Sequence, residues 1–261
     1  MTYKPFKSLM YDRTRYLHLL YIDKPYILGS KIIMIEGKPL RTVRSFVRRE
    51  GRLTPGQQRA IDELWPQFAI DEADSMIDLN QLFGRDAPKV LEIGFGNGAS
   101  LAQMAAEQPD QDFIGVEVHR PGVGQLLKAI EQQNLTNLRV ACTDAVELLN
   151  HRIADNALDR VQLYFPDPWH KKRHHKRRII QPSFVDILAA KIKPNGHLHM
   201  ATDWQHYAEQ MLEDLSNSNE FINCADSTGY IPRPDYRPLT KFEQRGHKLG
   251  HGVWDLLFKR R

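Results

Sequence analysis

Residues 89–101, KVLEIGFGNGASL, pass from an apolar strand through three alternating glycines into a helix. Gly94, Gly96 and Gly98 lack a Cβ, so the backbone between strand and helix can turn sharply and approach a nucleotide-like ligand closely. Outward from this passage the chain keeps alternating. KVLEI, DFIGVEV, LRVACT, VQLYF and HLHMAT read as strands, whereas Ser100 to Gln108, Gly122 to Gln133, Ala145 to Arg152, Ser183 to Lys193 and Gln205 to Asn217 read as helices. Such alternation predicts an α/β fold built on a parallel, doubly wound sheet. After Phe221 a proline-punctuated loop precedes a last apolar strand, VWDLLF, which predicts closure by an antiparallel C-terminal hairpin.

The 261 residues, 41% hydrophobic and 26% charged, suit one substantial domain. We expect the main domain over 88–261, a basic arm with a linking helix over 37–87, and an N-terminal extension over 1–36 with no sustained period. Within the arm, Lys38, Arg41, Arg44, Arg48, Arg49 and Arg52 oppose one acid, Glu50, and a helix over Gln57 to Phe68 follows the Thr54-Pro55 start signal. The net charge is only +4, but its clustering favours a polyanionic partner. Cys142 and Cys224 have no CxxC spacing, and Leu17 to Ile22 is too short for a membrane span, so the chain is expected to be cytoplasmic, its thiols reduced.

Glu92, Glu117, Asp144 and Asp167 close successive predicted strands and so fall along one sheet edge. The glycine run also fits the dinucleotide pattern G-x-G-x-x-A from Gly94 to Ala99, with Glu117 placed to bind ribose hydroxyls, so a nicotinamide dehydrogenase is one reading. Against it, a carboxylate at Glu92 would repel a pyrophosphate, and no second substrate domain follows. A cationic cofactor with ribose hydroxyls, an adenine amino group and an ammonium offers donors to several carboxylates, which fits four acids in register. The simpler alternative, that each acid caps the next helix, applies to any one of them.

The run FPDPWHKKRHHKRR, Phe165 to Arg178, then joins a proline-flanked carboxylate and a tryptophan to six Lys or Arg residues. Pro166 and Pro168 fix their own φ and bias their neighbours towards extended backbone, which holds Asp167 at a strand end. Trp169 is expected in the core. The histidines lack a carboxylate or cysteine pattern to complete a ligand set, so no metal site is expected.

On these residues the chain from about Gly37 to Phe258 resembles bacterial tRNA (guanine-N7)-methyltransferases. RSFVRREGRLT, LEIGFGNGASL, IGVEVHRPGVG, FPDPWHKKRHHKRR, MATDW and PLTKFEQRGHKLGHGVWDL all occur in order. The resemblance implies a Rossmann-like class I methyltransferase fold with a mostly parallel seven-stranded sheet, S-adenosyl-L-methionine as donor, and the variable-loop guanine, nucleotide 46 of tRNA, as acceptor. It implies a cofactor shell of Glu92, Glu117, Asp144 and Asp167 with the Gly94, Gly96 and Gly98 loop, and Asp167 as the catalytic position. Lys171, Asp203, Thr240, Lys241, Phe242 and Glu243 would bind substrate, and Arg173, His174, His175, Lys176, Arg177 and Arg178 would contact RNA. No membrane and no obligate protein partner are inferred, and a monomer is expected ahead of a homodimer. A methyltransferase acting on another RNA or a small molecule, and a non-catalytic RNA-binding module, are the alternatives.

Overall fold

The computed structural model describes residues 27–28, 31–32, 45–46, 51–71, 73, 75–240, 243 and 252–261. Two compact units divide the chain, Met1–Thr42 and Val43–Arg261. In the first, Ile27–Leu28 pairs antiparallel with Lys31–Ile32.

The second unit carries seven strands: β1 Lys89–Ile93, β2 Asp112–Val116, β3 Leu138–Ala141, β4 Leu158–Tyr164, β5 Ile192–Thr202, β6 Phe221–Asn223 and β7 Trp254–Arg260. They lie in the order β3-β2-β1-β4-β5-β7-β6. Strands β1 to β5 are parallel, and β7 runs antiparallel to both β5 and β6. The sequence-based expectation of a doubly wound sheet with an antiparallel C-terminal pair is met. Strand β6 escaped the sequence because it has only three residues, one of them the exposed Ile222.

Every residue of β1 and of β2 is buried, as expected for parallel strands covered on both faces. One face packs against α1 Pro55–Phe68, α3 Ala99–Glu107 and α4 Arg120–Gln133 through Ile61, Leu101, Met104, Leu126, Leu127 and Ile130. The other packs against α5 Ala145–His151, α6 Pro182–Lys191 and α7 Gln205–Ser216 through Leu149, Phe184, Leu188, Tyr207 and Met211. Helix α1 starts where Thr54-Pro55 predicts. Its capping box is closed by the Gln57 amide donating to Thr54 Oγ1 at 3.3 Å and the Thr54 amide to Gln57 Oε1 at 2.9 Å. A short helix, α2 Leu79–Phe83, was not legible in the acidic stretch that leads to it.

Over β4, β5 and β7 part of the first face is covered by a loop. Arg237 from that loop is buried and donates to Asp255 of β7 through Nε at 2.7 Å and Nη2 at 2.8 Å, and to Glu243 through Nη1 at 2.8 Å and Nη2 at 2.7 Å. His199 of β5 lies 2.9 Å from Asp255 through Nε2, and the Tyr164 hydroxyl is 2.8 Å from its Nδ1. Because a carboxylate only accepts, Nε2 carries the proton and Nδ1 accepts. Burial pushes the His199 pKa down, which keeps the ring neutral.

Removing Arg237 would strand two buried carboxylates. Arg237→Ala should therefore lower the unfolding free energy by about 3–5 kcal/mol, read as a fall in the urea midpoint. An unchanged midpoint would show that the network is not closed from water.

Candidate active site

The chain winds from β1 to β3 in one direction and returns to β4 on the other side of β1, so the strand order reverses between β1 and β4. Beyond the C-terminal ends of those strands, helices leave towards opposite faces and a crevice opens. A cleft of about 760 Å³ lies there, lined among others by Gly94, Glu117, Asp144, Phe165, Asp167 and Trp169.

The glycine turn reaches it at Gly94. Gly94, Gly96 and Gly98 have φ of 72°, 63° and 75°, the left-handed region that other residues enter at a cost. Gly122 of α4 is pressed against this turn: a Cβ there would meet the Gly96 carbonyl oxygen at 2.0 Å. Sequence reasoning did not single out Gly122, since a glycine inside a helix announces close approach only once its neighbour is known. The Gly96 amide also donates to Glu117 Oε2 at 3.0 Å, and the amides of Val118 and His119 donate to Oε1 at 2.7 and 3.0 Å. Glu117 is thus oriented by backbone before any ligand arrives.

The four acids differ in setting. Glu92 lies within β1 and is buried, with Oε2 lacking any hydrogen-bond partner. Burial, and secondarily the Glu117 charge, raises its pKa to about 8. Asp144 is half-buried and caps α5 by accepting from the Val146 amide at 3.0 Å, so the capping reading holds for that residue alongside its position on the cleft. Asp167 is exposed, and its Oδ1 accepts from the Trp169 amide at 2.9 Å.

Phe165 and Trp169, on either side of Pro166-Asp167-Pro168, have φ of 51° and 47°. The proline rule predicts extended backbone for Phe165, but the strand must leave the sheet abruptly after Tyr164, and a left-handed residue accomplishes that. Such backbone at a bulky residue is strained by about 1–3 kcal/mol and persists only where neighbours enforce it. Here the Phe165 amide is held by the Ala201 carbonyl at 2.8 Å. Trp169 does not enter the core as expected. It is half-buried, donates from Nε1 to the Ser45 carbonyl at 3.2 Å, and carries the Arg177 guanidinium 4.2 Å from its ring centroid.

The basic run forms a 3-10 helix, Lys172–Arg177. Lys171, Lys172, Arg173 and Lys176 are exposed, and His174, His175 and Arg177 are half-buried. Arg178 departs from its expected role at an RNA surface. It is 1% exposed, donating from Nε to the Pro168 carbonyl at 2.8 Å and from Nη1 to Gln210 Oε1 at 2.6 Å. Its guanidinium also lies 4.7 Å from the Tyr207 ring centroid. A turn that leaves a sheet must be tied back to it, and Arg178 serves that purpose.

Asp203 stands exposed just after β5, and Thr240 is half-buried. Glu243 also departs from its expected contact with substrate: it is 2% exposed and both carboxylate oxygens accept from Arg237. The Glu243 amide donates to Thr240 Oγ1 at 3.1 Å, so Glu243 is tied to Thr240 from within the fold. Lys241 and Phe242 lie outside the described residues, as do Arg41, Arg44, Arg48 and Arg49 of the arm. Among the described residues no three His, Cys, Asp or Glu side chains converge as a metal site would require, and no helix is long and apolar enough to cross a membrane.

Residues 86–256 match a protein family described as "Putative methyltransferase". The chain is 62% identical over 225 residues to a protein of Alcanivorax borkumensis named tRNA (guanine-N(7)-)-methyltransferase, the match covering 86% of this chain and 94% of that protein. Proteins of the same name from Aeromonas hydrophila subsp. hydrophila and Escherichia coli are 59% and 57% identical, each match covering 86% of this chain and 95% and 94% of theirs. Among solved structures, the 16S rRNA methyltransferase KamB matches with a TM-score of 0.53 at 14% identity, over 71% of this chain and 94% of its own. The aminoglycoside resistance methyltransferase NpmB1 matches at 0.51 and 14%, over 70% and 92%. At such identity the likeness is one of fold.

The buried Glu92 carboxyl yields a pH test. The folded protein holds this proton from the ordinary value of 4.5 up to about 8, whereas the unfolded chain has released it. Stability of the ligand-free protein should therefore fall as pH rises through that window and level off above it. Glu92→Gln should flatten this dependence and raise the melting temperature at about pH 8. Parallel melting curves for both proteins would reveal an ionised, hydrated Glu92 instead.

Proposed function

Because this chain belongs to the family of tRNA (guanine-N(7)-)-methyltransferases, we propose that it transfers a methyl group from S-adenosyl-L-methionine to N7 of the variable-loop guanine, nucleotide 46, of tRNA. The product is 7-methylguanosine, and the work belongs to the cytoplasm. The observation that carries the reading is the adjacency, on one sheet edge, of an acid-lined cleft and an exposed cationic strip that starts at Lys171, four residues after Asp167.

The residues present fit the donor. Glu92 has a buried carboxylate oxygen without a partner beside the glycine turn, and Gly94 and Gly96 leave open space where a Cβ would stand. An ammonium favours an ionised Glu92, ribose hydroxyls suit Glu117, and Asp144 offers an acceptor for an adenine amino group. S-adenosylmethionine supplies a methyl group on a sulfonium.

Guanine N7 carries a lone pair and no proton, so no general base is needed before attack. The protein's task is alignment, for which a turn over-determined by Phe165, Trp169 and Arg178 is suited. Positive charge grows on the purine as N7 becomes bonded, and Asp167, exposed at the cleft, offsets it. Asp203 accepts from the guanine N1–H and N2 amino group. Lys171, Lys172, Arg173 and Lys176 neutralise phosphates, and Thr240, Lys241 and Phe242 complete the substrate side, with Glu243 bonded to Thr240.

Incubation with labelled S-adenosylmethionine and unmodified tRNA, then borohydride reduction and aniline cleavage, should cut the tRNA at the variable-loop guanine. An intact chain would reject the reading. Asp167→Ala should lower the single-turnover rate about 100-fold or more while tRNA affinity holds. Weak binding with normal turnover of bound tRNA would assign that residue to binding alone. Lys171→Ala should reduce the slope of log affinity against log salt by about one, and an unchanged slope would deny it a phosphate.

A further inference from the structure

Among the described residues, the large hydrophobic side chains most open to solvent are Met76, Trp204, Ile222 and Leu239, and Trp204, 38% exposed, is the one aromatic among them. It follows Asp203 directly at the C-terminal end of β5 and occupies the N-cap position of α7. Its backbone is fixed on both sides. The Trp204 amide donates to Thr202 Oγ1 at 3.2 Å, and its carbonyl accepts from the amides of Tyr207 and Ala208 at 2.9 and 3.0 Å. The ring itself is braced by His170, whose imidazole meets it at 4.3 Å between centroids and 87° between planes. With this brace Trp204 still keeps 38% of its surface open to solvent.

His170 belongs to the strained turn, between Trp169 and Lys171. Trp204 therefore links the turn that presents Asp167 to the strand end that presents Asp203, through the residue that precedes the exposed Lys171. An exposed aromatic held rigid beside cations is the arrangement that binds unstacked nucleobases, since every base has a π face. An adjacent carboxylate selects among bases by accepting from a donor edge, and guanine presents two donors there, N1–H and the N2 amino group.

We propose that Trp204, braced by His170, is the stacking platform for the guanine of tRNA whose donor edge Asp203 reads. This rests on the reading that the protein acts on tRNA, and it adds a specificity-determining residue to it. Stacking contributes through the base, so it differs from a phosphate contact in its salt dependence.

The full-length protein, with Trp204→Ala, Trp204→Phe and His170→Ala variants, tests this by tRNA binding at several salt concentrations. Calorimetry with S-adenosylhomocysteine serves as a control on each. Trp204→Ala should weaken tRNA binding about tenfold with an unchanged salt slope, Trp204→Phe should recover most of the loss, and His170→Ala should fall between them. Affinity for S-adenosylhomocysteine should hold throughout. Undiminished tRNA affinity in Trp204→Ala would overturn the proposal. So would a reduced salt slope, equal losses in the Ala and Phe variants, or a parallel loss of S-adenosylhomocysteine binding. Binding is measured apart from methyl transfer, so a wild type that binds tRNA without methylating it rejects the reaction while the platform is judged on its own.

Discussion

Strand β4 is paired with β1 as far as Leu163 and with β5 as far as Tyr164, yet its chain must be out of the sheet by Asp167. Two left-handed aromatic residues, Phe165 and Trp169, bracket the prolines and make that exit. The candidate site depends on this turn being stiff. It carries Asp167 into the open, turns the Trp169 ring beneath the Arg177 guanidinium, and brings His170 against Trp204. Unfavourable φ values at bulky residues persist only under outside restraint, which the Ala201 carbonyl supplies at one end and Arg178, bonded back to the Pro168 carbonyl, supplies at the other. One buried arginine thus ties the end of the cationic run back to the turn.

A second constraint lies beneath the turn. Glu92, Gln162 and His199 stand in register on β1, β4 and β5, forming a buried polar row across the middle of the sheet. At its far end His199 and Asp255 join Arg237 and Glu243, so the loop over this part of the sheet is fastened by charge. A paired buried charge contributes less to stability than an apolar contact of equal size, but it fixes partner and geometry, because a slipped pairing leaves a carboxylate bare. The Arg237 guanidinium lies 5.6 Å from the Phe165 ring centroid and bonds Glu243, which in turn holds Thr240. The strained turn and the loop segment expected on the substrate side therefore share one anchor.

The acids along the edge form a gradient of exposure, from buried Glu92 through half-buried Glu117 and Asp144 to open Asp167. A carboxyl whose pKa burial raises to about 8 is poised to ionise when a cation arrives, whereas an exposed carboxylate stands open to whatever is placed before it. Environment thus separates four chemically similar residues into a buried and half-buried set and an exposed rim.

The doubly wound sheet was legible in the sequence because strand and helix periods are local: KVLEI, the three glycines and the helix that follows declare themselves within a dozen residues. The four acids were legible for the same reason, each standing at or near a strand end. Arg178, Glu243 and Trp204 were not. Arg178 ends a run of cations and Glu243 closes a polar segment, yet both are buried, because whether a charge faces water depends on what Pro168, Gln210 and Arg237 offer across the fold. Trp204 shows the reverse, an aromatic left outside because its place at the head of α7 beside His170 gives it no core to enter. Backbone sterics and hydrophobic period, both local, set the order of elements and the acids at their ends. Which charges are buried and which aromatic is exposed followed from packing, because desolvation and pairing depend on neighbours distant along the chain.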